Sequence, residues 1–133
     1  MDAALKPVVF ACSGCSPAGQ LANQLALELD RRGIAEMSCL AGLGAEKPVF
    51  LKLAERRPVW IIDGCPIECG GGIAEKVERL PVLHLRLHDF GIKKKEGRPD
   101  HVSLEQLVEW VKQQAAQAPQ WQPRSPQSSG APR

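Results

Sequence analysis

Short unbroken apolar runs alternate along this chain with stretches of helical periodicity. Val8-Val9-Phe10-Ala11 is compact, β-branched and uncharged, as in a strand buried on both faces. From Gln20 to Arg32, Leu21, Leu25 and Leu29 recur at helical spacing, and Gly33 stops the helix. Ile34 to Leu40 reads as a weaker strand and Ala41 to Ala45 as loop. Pro48 to Arg57 reads as a second helix, with proline in its first turn. Pro58 to Ile62 is the clearest strand. A third helix is predicted from about Ile73 to Leu80, its start blurred by Gly70-Gly71-Gly72. Pro81 to His88 alternates, with Leu83, Leu85 and Leu87 on one face and His84, Arg86 and His88 on the other. That pattern predicts an edge strand with one partly exposed face. Ser103-Leu104-Glu105-Gln106 is a capping box that opens a last helix running to Gln117.

Strands that alternate with helices predict a three-layer α/β fold. The expected sheet is four-stranded and mainly parallel, in the order 2-1-3-4 with right-handed crossovers, similar to Rossmann and flavodoxin-type sheets. The expected domain spans residues 6–117. Residues 118–133 are rich in Pro, Gln and Ser with Trp121 as their one large apolar residue, so disorder is expected there.

Composition narrows the function. A formal charge of +2 gives no electrostatic case for nucleic acid. No apolar run approaches the ~20 residues that span a bilayer. The start, Met1-Asp2-Ala3-Ala4-Leu5-Lys6-Pro7, lacks the basic-then-apolar plan of a signal peptide, so a cytoplasmic location is expected. Thiols stay reduced there, which favours metal or redox chemistry over a disulfide framework.

Five cysteines give that statement its weight. In an open parallel sheet the strand ends share one edge, where ligands bind. Cys12 and Cys15 follow the first strand, Cys39 the second, and Cys65 and Cys69 the third. Adjacent strands lie about 4.8 Å apart, so their outgoing loops bring distant thiols together. Zinc held by thiolates has Zn–S near 2.3 Å and needs such closure, and a structural zinc contributes on the order of 10 kcal/mol to folding. Cysteine as an ordinary small core residue is the rival reading, and it explains one such position better than four.

Cys12-Ser13-Gly14, Cys39-Leu40, Asp63-Gly64-Cys65-Pro66 with Cys69, and Gly91-Ile92-Lys93 together resemble the DGC-domain family, named for its Asp-Gly-Cys motif. The likeness covers roughly residues 6 to 112. It implies a zinc-binding protein with Cys12, Cys39, Cys65 and Cys69 as metal ligands, its reaction undefined. Cys15 has no counterpart in that pattern and is a spare thiol. An iron–sulfur cluster would use the same four sulfurs.

Around these thiols, Asp63 either orients the cysteine loop or simply forms a turn before Gly64. His88, past the fourth strand, is a candidate auxiliary ligand or proton carrier. His84, His101, Trp60 and Trp110 are read as structural, and Lys93-Lys94-Lys95 as a solvated loop. A metal-free alternative is thiol–disulfide exchange or sulfur transfer through Cys12 and Cys15. Chemistry like that of low-molecular-weight tyrosine phosphatases is disfavoured, because Ala18 stands where the oxyanion-binding arginine would be and Ser16-Pro17 comes too early. The chain shows no obvious acid–base pair, so whether it is an enzyme stays open. The zinc reading makes a metal ion the partner; a non-catalytic binding module, its tail or loop edge engaging an unidentified partner protein, is a third reading.

Overall fold

The computed structural model describes residues 5–119; the expected disordered tail lies almost wholly outside the described residues. In chain order the elements are β1 (Val8–Ala11), α1 (Pro17–Arg31), β2 (Glu36–Ser38), α2 (Leu40–Gly44), α3 (Pro48–Arg56), β3 (Val59–Asp63), α4 (Cys69–Lys76), β4 (Leu83–Arg86) and α5 (Leu104–Gln117). The sheet order is β2-β1-β3-β4, and all three pairings are parallel. This is the α/β architecture and strand order that the hydrophobic pattern predicts.

Two cores explain the layering. Val9, Ala11, Trp60, Ile62 and Leu85 turn to one face and pack with Leu21, Leu25 and Leu29 of α1 and Leu107, Val108 and Val111 of α5. Val8, Phe10, Val59 and Ile61 turn to the other face and pack with Leu43, Ala54, Ala74 and Val77. Alternate residues of β1 and β3 thus serve opposite layers, which is why those runs are apolar throughout. Trp60 is core, and the ring of Trp110 lies 5.1 Å from that of Phe90, so both tryptophans pack as expected.

Several boundaries differ from the sequence pattern, each for a local reason. Helix α1 starts at Pro17 because Ser16 accepts a hydrogen bond from the Gly19 amide at 3.1 Å. Residues 41–45, predicted as loop, lie within or directly after the short helix α2, whose N-cap is Cys39. Helix α4 begins at Cys69 and runs through the glycines rather than starting after them. Strand β4 stops at Arg86, and Leu87–Phe90 form a 3-10 turn that carries His88. Ser103 and Gln106 form the predicted capping box, with bonds of 3.0 and 2.7 Å. Among the described residues no helix is long and apolar enough to cross a membrane.

Candidate functional site

At the C-terminal edge of the sheet, the loop after β1 and the starts of α2 and α4 border one cleft of about 450 Å³. Cys12, Cys39 and Cys69 all line it, together with Ser13, Ser38 and Asn23. None of the lining residues is charged. The sheet order brings this about: β1 lies between β2 and β3, so the chain leaving each strand meets its neighbours at one rim.

Each cysteine is placed by a specific local device. Cys12 closes β1, its amide bonded to the Ile62 carbonyl at 3.0 Å. The following loop is held by Gln20, whose Nε2 donates to the carbonyls of Ser13 and Gly14 at 3.2 and 2.8 Å. Cys39 caps α2, its Sγ accepting from the Gly42 amide at 3.2 Å. Cys69 is the first residue of α4. Cys65 is half-buried and lies outside the cleft lining, yet close enough to Cys12 for its charge to act there. Cys15 is exposed and also lies outside the lining.

Electrostatics ties the thiols together. Burial pushes the Cys12 thiol up; the Gly14 amide opposes this, and negative charge on Cys69, Asp63 and Cys65 adds to the rise. Without a cation, several thiolates in this place would repel one another. All five cysteines are free, and they stand in loops or at helix starts rather than in either core. The donor set is soft sulfur on an uncharged cleft, which fits zinc or another thiophilic metal. Among the described residues the sulfurs are gathered but not drawn into a closed group: the one trio of potential ligand atoms mutually within 4.8 Å is Asp63, Glu68 and His84.

The Asp-Gly-Cys segment has a distinct reason for each of its first two residues. Asp63 is 1% exposed, and its carboxylate accepts from the amides of Gly70 at 2.7 Å and Gly71 at 2.9 Å, the first turn of α4. His84 Nε2 lies 2.7 Å from the same carboxylate. Burial alone would raise the Asp63 carboxyl, but His84 and the two amides outweigh it and hold it below its usual range. Gly64 faces the backbone of α1; a Cβ there would stand 2.2 Å from the Ala18 carbonyl oxygen.

Of the auxiliary residues, Asp63 binds the first turn of α4, directly after the Cys65–Cys69 segment. His88 stands beside Glu68, with Nε2 3.7 Å from a carboxylate oxygen, and lines no part of the cysteine cleft. Its Nδ1 is buried without a hydrogen-bond partner. Lys93, Lys94 and Lys95 are exposed, as expected of a solvated loop. Glu68 and His84 are the neighbours that sequence reasoning missed. Their signals were present: Glu68 sits between two cysteines, and His84 opens the polar stripe of β4.

No solved structure matches this chain. The chain is 50% identical over 92 residues to the anaerobic and virulence modulator AnvM of Pseudomonas aeruginosa, covering 68% of this chain and 70% of that protein. The model of the DGC domain matches residues 8–113. Those bounds take in both cores and every cysteine described above, and the chain belongs to the DGC-domain family.

Proposed function

We propose that this protein binds zinc through the thiolates of Cys12, Cys39, Cys65 and Cys69. One observation carries the reading: cysteines that follow three separate strands border a single cleft with no charged residue in its lining. Cys65, whose negative charge acts on Cys12, completes the set. A dication among these sulfurs offsets the burial and the neighbouring negative charge that push the Cys12 thiol up. Bound there, the metal supplies a cross-link between three loops, and four sulfur ligands leave it no open position for substrate. The role is then structural, or one of metal or sulfur handling in a reducing cytoplasm. A modulator's function, as the relative AnvM's name describes, suits such a module acting on a partner protein.

Cobalt substitution tests the reading. Protein loaded with Co(II) should give the intense sulfur-to-cobalt charge-transfer bands of a thiolate site, and each of Cys12→Ser, Cys39→Ser, Cys65→Ser and Cys69→Ser should weaken them. Cys15→Ser should not. A brown protein as purified, with visible absorption lost on iron removal, would instead assign the same sulfurs to an iron–sulfur cluster. Absence of charge-transfer bands, with Cys12 and Cys15 forming a disulfide on mild oxidation, would favour thiol exchange.

A further inference from the structure

The polar stripe of β4 is the feature that the zinc reading does not use. His84 and Arg86 alternate with the core residues Leu83 and Leu85, a pattern that ordinarily marks a solvent face. Here both side chains reach back to the segment that carries Cys65 and Cys69. His84 Nε2 sits 2.7 Å from Asp63, the residue that opens that segment. Arg86 Nε donates to Glu68 at 3.0 Å, directly before Cys69. Glu68 holds a left-handed backbone (φ 55°), a conformation that a non-glycine residue keeps only when its surroundings hold it.

From this we infer, on the zinc reading above, that His84 is a positioning residue of the metal site, acting on the cysteine sulfurs through Asp63. The chain of contacts is short. The imidazole N–H donates to Asp63, and the Asp63 carboxylate in turn receives the Gly70 and Gly71 amides. Those amides belong to the first turn of α4, whose first residue is Cys69. Fixing that turn fixes the direction in which the Cys69 sulfur leaves the backbone. Cys65 lies two residues after Asp63, in the same segment.

The glycines support this account. A Cβ at Gly70 would stand 2.8 Å from an Asp63 oxygen, and one at Gly71 would stand 2.6 Å from His84 Cε1. The turn is therefore built without side chains so that the carboxylate and the imidazole can reach its backbone. A cation site formed by Asp63, Glu68 and His84 is the rival, since their ligand atoms lie within 4.8 Å of one another. Two facts weigh against it. Both Asp63 oxygens already accept amide hydrogens, and the Arg86 guanidinium offsets the charge of Glu68. Outer partners that orient metal ligands typically govern affinity by about 10–100-fold.

The test is zinc affinity of the full chain, measured by competition with a chromophoric chelator, with metal equivalents counted in the same titration. His84→Leu removes the donor. His84→Gln keeps an N–H near the position of Nε2. Asp63→Asn removes the charge that the loop amides meet. The inference predicts unchanged zinc equivalents, affinity about 10–100-fold weaker in His84→Leu and Asp63→Asn, and recovery of most of that loss in His84→Gln. Equal affinity of wild type and His84→Leu would overturn it. So would a drop in zinc equivalents in both His84 variants, which would make His84 a ligand. Should the leucine variant not fold, Asp63→Asn decides alone, and wild-type affinity in that variant would be fatal. If wild-type protein takes up no zinc, the thiolate reading itself falls, a result distinct from any of these.

Discussion

The segment from Gly64 to Glu68 has two sides, and they are finished differently. On the side of β4, Asp63, His84, Glu68 and Arg86 answer one another: donor meets acceptor, and the charges are paired at 2.7 to 3.0 Å. On the side of β1 and β2, Cys12, Cys39 and Cys69 face a cleft whose lining includes no charged residue. A protein closes its buried polar groups wherever it can, because an unpaired one costs about 1–3 kcal/mol. On the polar side these four side chains are all partnered, and His88 Nδ1 beside them is buried without a hydrogen-bond partner. The sulfur side presents thiols on an uncharged lining, and on the proposed reading these hold zinc.

Changing the sulfur side should have the largest effect. Cys65→Ser and Cys69→Ser should each abolish stoichiometric zinc uptake, seen by elemental analysis, and lower the thermal midpoint of the metal-loaded form toward that of the chelator-treated form. Neither core includes a cysteine, so the chelated protein should keep its helical circular dichroism, unlike a zinc finger that unfolds outright.

Gly64 joins the two sides, and Gly64→Ala is next in size. The added methyl meets the Ala18 carbonyl, so either α1 or the cysteine loop has to move. Destabilisation by about 3 kcal/mol in urea unfolding is expected, with weaker zinc binding as well. Ser103→Ala lies far from both sides and serves as the contrast. Loss of its cap on α5 should cost about 1 kcal/mol and leave zinc affinity unchanged.

The smallest effect concerns acid. Arg31 and Arg32 hold the Glu28 carboxyl down to about 2, and Arg32 reaches across to Glu105 of α5 at 2.7 Å. The folded value is depressed, so this contribution is full above the ordinary 4.5 and fades as pH falls toward about 2. These groups are on the surface, so salt screens them. Arg32→Ala should slightly flatten the acid limb of a plot of urea midpoint against pH, and an unaltered limb would remove the clasp from the account.

How much of this was legible beforehand follows from what each signal depends on. The runs at Val8 and Val59 announce buried parallel strands because both faces are covered, and the order 2-1-3-4 follows from the alternation of strands with helices. Gathering of the cysteine loops at one rim followed from topology alone. The start of α4 did not, since three glycines look like loop until Asp63 is seen to hold their amides. Helix α2 was hidden for a similar reason, its cap being a thiol rather than the usual hydroxyl or carboxylate. His84 looked structural because alternation records which face a residue is on, not what stands opposite it.

The central claim is that four sulfurs jointly hold zinc, and metal content of untagged protein across the five single Cys→Ser variants tests it most directly. The account predicts one zinc per chain in the wild type and in Cys15→Ser, and loss of it in Cys12→Ser, Cys39→Ser, Cys65→Ser and Cys69→Ser. Full zinc in Cys39→Ser and Cys69→Ser, or a metal-free wild type that stays so after incubation with zinc, would contradict it.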